Sequence, residues 1–199
     1  MTGRPLTQPA WVEPRRHEVA DLIALASIST QDSSIPTATR YAYGAMLSAS
    51  AWVSGLLFGP ITHRDDAPVT LDVARAELFT AETLLYPERR AQLSAFCAST
   101  GVRSWTPVET QRDYVLGAWV TLRWLIGLEA APPIPVPLRH EDGSLLTETE
   151  IYEGFLAGEP APGAARRQAI RRTAATMAQE SYNMARTIRI HSEHPQPGQ

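Results

Sequence analysis

Any chemistry in this chain rests on a short set of side chains. His63-Arg64-Asp65-Asp66 puts an imidazole and two carboxylates in one predicted loop. Those residue types bind a metal ion or activate a water, although adjacent loop acids are more often simply solvated. His140-Glu141-Asp142, beside an Asp-Gly turn, is a second cluster with the same two readings. Glu82 borders an apolar helical stripe, with Arg75 two turns earlier. A carboxylate at a core margin can serve as an acid or base, but the commoner outcome, and the one expected here, is an ion-paired boundary residue. Cys97 sits between apolar neighbours with no local group to lower its pKa, which predicts a buried structural thiol. Arg186 and His191, near the end of the last predicted helix, complete the catalytic candidates. Together these residues form no coherent catalytic constellation.

Composition removes several chemistries outright. All 18 positively charged residues are arginine, so there is no phosphate-loop lysine, no Schiff-base lysine and no pyridoxal-phosphate anchor. Such a cation set is what a GC-rich bacterial genome would encode. No glutamate has a histidine three residues later, and His-Glu-x-x-His, Gly-x-Ser-x-Gly and glycine-rich phosphate loops are missing. No cofactor is expected. A formal net charge of −3 argues against a wholesale basic nucleic-acid binder.

Sixteen prolines punctuate the 199 residues and leave long proline-free stretches, each with helical spacing or capping residues. Residues 15–28 place Val19, Leu22, Ile23 and Ala26 on one face. Pro36 opens a helix, uncharged from Tyr41 onward, that Gly59-Pro60 closes. Thr70 caps a helix whose stripe is Leu71, Ala74, Leu78, Ala81 and Leu85. A short helix after Pro87 stops at Gly101, a left-handed cap. Thr106-Pro107-Val108-Glu109 combines an N-cap, a first-position proline and a capping box, predicting a helix from there to about Leu128. Arg123, within that broadly apolar helix, needs a partner or an escape to solvent. The link Pro132–Pro137 reads as extended, and Asp142-Gly143 as the turn of a small hairpin. Thr147–Glu150 is a second capping box, and the last helix runs from about Ala164 to His191. The expected fold is therefore all-α, one domain of about six or seven helices over residues 15–191. Residues 1–14 form an irregular arm and 192–199 a disordered tail.

Tyr41–Thr62 carries no charge over 22 positions and includes Gly55-Leu-Leu-Phe-Gly59, a spacing that brings helices close in lipid. Its glycines, serines and tyrosines leave it short of a membrane span, so burial in a helical core is expected. The first residues hold no apolar run of the signal-peptide kind, which makes the cytoplasm the expected location.

The last helix has two faces. Ile170, Met177, Met184 and Ile188 lie on a narrow seam with Ala174 and Ser181, like one side of a coiled coil. Arg167, Arg171, Arg172, Arg186 and Arg189 cover an opposite arc of about 140°. Glu129–Glu159 is acidic by contrast, so the arginines are either solvated or paired with it, or meet a protein partner, or contact phosphates.

Two stretches invite comparison with known families. Arg186-Thr-Ile-Arg-Ile-His191 resembles the Arg-x4-His pattern of HEPN ribonucleases over these six residues. The resemblance implies an all-helical fold that cuts RNA without metal at a dimer cleft. Leu93–Val102 looks like the first helix and turn of a helix-turn-helix binder, whose next helix would begin at Pro107. With no catalytic group assembled, the favoured function is a non-catalytic interaction or assembly protein. It would self-associate or dock into a larger complex through Ile170, Met177, Met184, Ile188, Trp119 and Trp124. A nucleic-acid-binding accessory protein using the arginine face is the alternative, and a metal-independent nuclease the third.

Overall fold

The computed structural model describes residues 8–65, 68–159 and 161–193. The fold is all-α, as the proline spacing predicts, with seven α-helices among the described residues. They are α1 (Arg16–Gln31), α2 (Thr37–Val53), α3 (Leu71–Leu85), α4 (Arg90–Thr100), α5 (Arg112–Leu125), α6 (Glu148–Ala157) and α7 (Ala164–Glu193). They fall into two compact units, Met1–Ile134 and Pro135–Gln199, and the division lies inside the proline-rich link.

In the first unit α1 packs on α2, α2 on α5, α5 on α3 and α3 on α4. One apolar cluster joins Ala45, Ile61, Ala81, Leu85, Val115 and Ala118, with Tyr114 and Trp119 half-buried against it. Burial pushes the Tyr114 hydroxyl above the usual phenol range; a hydrogen bond with Ser48 opposes the shift, and the charge of Glu77 adds to it. A second cluster joins Ala76, Leu93 and Cys97 with Phe79 and Phe96, so the thiol is a buried core group. Small residues set the closest approach: at Gly117 on α5 an added Cβ would lie 2.4 Å from the Ala42 carbonyl oxygen of α2. All five tryptophans belong to this unit. The described part of the N-terminal arm is irregular but pinned, with Trp11 Nε1 donating to the Val69 carbonyl and the Glu13 amide to that of Leu125.

Several helix ends differ from the sequence expectation. The uncharged stretch leaves α2 at Val53, not Gly59. Gly55, at φ +76°, makes a Schellman turn in which the Leu56 amide bonds the Ala51 carbonyl and the Gly55 amide that of Trp52. Its glycine thus serves a helix stop and not a helix–helix contact, and Leu56, Leu57 and Phe58 emerge exposed where burial was expected. No described helix is long and apolar enough to cross a membrane. The loop expected from Ser29 instead stays helical to Gln31.

The largest departure is α5, which begins at Arg112 and not at Thr106. Residues 101–111 are non-helical because tertiary partners take their polar groups: the Val108 amide bonds the Ile61 carbonyl, and Arg64 donates to the Arg103 carbonyl. Arg64 and Arg103 also lie over the Trp105 ring. Gly101 does cap α4, at φ +70°. The eleven residues from there to α5 are too long for a helix-turn-helix, so that resemblance does not carry through.

In the second unit α6 packs on α7. The expected hairpin is present in miniature, as one antiparallel bridge between Arg139 and Leu145 around Asp142-Gly143. The Thr147–Glu150 capping box forms as predicted. Hydrogen bonds from Thr147, backbone first, hold the Glu150 carboxyl below the usual carboxylate range, with His140 nearby adding to the shift. Ser192 and Glu193, assigned to the tail, extend α7 by two residues.

Candidate functional site

The polar centre of the first unit is one that sequence reasoning missed. Glu77 is fully buried on α3. Its Oε1 accepts from the amides of Ile61 (2.7 Å) and Thr62 (2.9 Å), and its Oε2 from the Thr62 hydroxyl (2.7 Å). Successive backbone amides that converge on one oxygen form an anion nest, and here the anion is the protein's own carboxylate. The loop closes tightly, with the Gly59 amide bonded to the Arg64 carbonyl and the His63 amide to that of Gly59. His63 consequently takes φ +52°, and a Cβ on Gly59 would come within 2.8 Å of both Arg64 and Glu77. The signal was present in the spacing: Glu77 shares the face of Ala74, Leu78 and Ala81, a carboxylate inside an apolar stripe.

Glu82 is the ion-paired boundary residue expected. It is 4% exposed, pairs with Arg89 at 2.5 Å and accepts from Trp119 Nε1 at 3.2 Å. Arg75, its anticipated neighbour, lies nearest Asp72 instead. Arg123 finds its partner in Glu129, which takes two of its donors, while its guanidinium lies 4.9 Å from the centre of the Trp119 ring. His63 and Asp65 are both exposed on the nest loop, and Asp66 lies outside the described residues. Among the described residues no three His, Cys, Asp or Glu side chains gather as a metal site.

Of the seam proposed to meet a partner, Ile170, Ala174 and Ser181 are buried, and Met177, Met184 and Ile188 are half-buried. The Ser181 hydroxyl accepts from the Leu138 amide at 2.8 Å, so the hairpin segment already occupies part of that seam. Trp124 is buried and Trp119 half-buried.

The arginine face is not uniform. Arg166 pairs with Glu159, Arg167 donates to the Pro162 carbonyl, and Arg171 lies over the Tyr152 ring. Arg186 and Arg189 line an open groove of about 260 Å³ with Arg139, Leu145, Tyr182 and Ala185. His191, the other end of the HEPN-like spacing, does not line this groove.

The most exposed apolar feature lies in the first unit. Leu56, Leu57 and Phe58, 52%, 51% and 59% exposed, border a hollow of about 280 Å³ whose walls include Trp52, Val53, Pro68 and Val69. No family model, curated protein or solved structure matches this chain.

Proposed function

We propose that this chain is a non-catalytic helical interaction protein that self-associates through the Leu56–Phe58 surface. The observation that carries the reading is three consecutive large apolar side chains, each more than half exposed. Single exposed leucines are ordinary, but such a run costs solubility unless something covers it. Its setting favours a second copy. A two-fold interface must be self-complementary, and this surface offers protruding side chains beside a hollow, apolar but for Asp65, on the same face. The Schellman turn at Gly55 holds the segment in place, so little chain entropy is lost on docking.

Light scattering through a dilution series tests this. The wild type should exceed 21.8 kDa at high concentration. Leu57→Asp combined with Phe58→Asp, which changes only exposed side chains, should remain at the monomer mass with unchanged helicity. A wild type that stays monomeric at every concentration would sink the reading, as would a double variant that still associates.

A further inference from the structure

We infer that the groove between α7 and the hairpin of the second unit is a binding site for a nucleotide, its phosphate held by Arg186 and Arg189 and its base laid against Tyr182. This inference is independent of the self-association proposed above. Tyr182, Arg186 and Arg189 follow one another at helical spacing along one side of α7, and Arg139 and Leu145 face them from the hairpin bridge. Arg139 is held in place by its own bond to the Gly143 carbonyl at 2.8 Å.

The charge pattern gives the phosphate its place. Elsewhere in the chain Arg89, Arg123 and Arg166 each pair with a carboxylate. The side chains of Arg186 and Arg189 have no acceptor among the described residues, and no acid lines their groove. Nearby acids are otherwise placed: Glu150 pairs with His140, and Asp142 accepts from Ser144. Arg186 and Arg189, side by side on one wall of the hollow, repel one another until an anion enters, and their planar forks match phosphate oxygens in pairs. The site does not borrow from a helix N-terminus. It lies towards the C-terminal end of α7, where the helix dipole opposes an anion, so the arginines must supply the attraction.

The ring and the size narrow the ligand further. Tyr182 is 53% exposed, and Leu145 and Ala185 add apolar wall, a combination that stacks a flat base beside its phosphate. An open groove of about 260 Å³ is on the scale of one nucleotide unit. Free nucleotide and single-stranded nucleic acid share that chemistry.

The test titrates the full chain with inorganic phosphate, with adenosine monophosphate by calorimetry, and with a fluorescein-labelled single-stranded oligonucleotide by anisotropy at several salt concentrations. Adenosine monophosphate or the oligonucleotide should bind at least tenfold more tightly than phosphate. Arg186→Ala with Arg189→Ala should weaken that binding at least tenfold, and Tyr182→Ala should bring adenosine monophosphate down to the phosphate level. Thr173→Ala, exposed and outside the groove, should change neither. Tighter binding of the oligonucleotide, with a steep salt dependence, would identify a strand as the source; the reverse order would identify the free nucleotide. Binding of neither, or binding that survives the double arginine variant, overturns the inference.

Discussion

Glu77→Ala is expected to destabilise the first unit by about 4 kcal/mol. The carboxylate is fully buried and accepts from two amides and one hydroxyl. Truncation leaves all three donors inside the protein without an acceptor, and each costs about 1–3 kcal/mol, offset where water enters. For a chain of this size the thermal midpoint should fall by roughly 10 °C in a circular dichroism melt. Glu77→Gln separates the nest from plain packing. Its amide oxygen can still accept both backbone bonds, so a loss of only about 1–2 kcal/mol is expected. Equal losses for the two variants would show that the nest does not anchor the loop. Gly59, Ile61 and Thr62 would move with it, and with Ile61 the carbonyl that receives the Val108 amide.

Gly117→Ala carries the second large effect, and its sign is decided by competing magnitudes. Alanine is the better helix former by about 1 kcal/mol, so an exposed glycine in α5 would be improved by the change. Here the new Cβ would lie 2.4 Å from the Ala42 carbonyl oxygen and 2.8 Å from its Cα. Backbone cannot swing aside as a side chain can, so α2 and α5 must separate along the contact. Overpacking of this kind costs about 1–3 kcal/mol, and the loosened contacts along the two helices add to it. The expected net loss is about 2 kcal/mol in urea unfolding, with Gly117→Val worse. A stabilised Gly117→Ala would mean that the helices are not in backbone contact.

Several helix ends were legible from local signals alone. The Thr147–Glu150 capping box, the Thr70 cap and the Gly101 stop all appear where sequence placed them. Thr106-Pro107-Val108-Glu109 carries signals of the same quality and starts no helix. A capping box contributes about 1 kcal/mol, and here it is outweighed by the Val108–Ile61 bond and by the arginines around Trp105. Of those partners Ile61 and Arg64 lie some forty residues away in the chain, so no local window contains them. Glu77 was hidden for a different reason. Its place on the stripe could be counted, but the donors that make burial tolerable come from a loop whose shape depends on Gly59 and His63. The arginine groove is likewise half visible: helical spacing aligns Arg186 and Arg189 with Tyr182, whereas Arg139 arrives only through the hairpin.

The placement of every indole in the first unit has a practical consequence. Intrinsic emission excited at the red edge reports on residues before the proline-rich link and is silent about α6 and α7. Ellipticity, by contrast, sums both halves. If denaturant midpoints from the two signals coincide, the halves melt together; if they separate, the gap measures how much less, or more, the C-terminal pair of helices resists on its own.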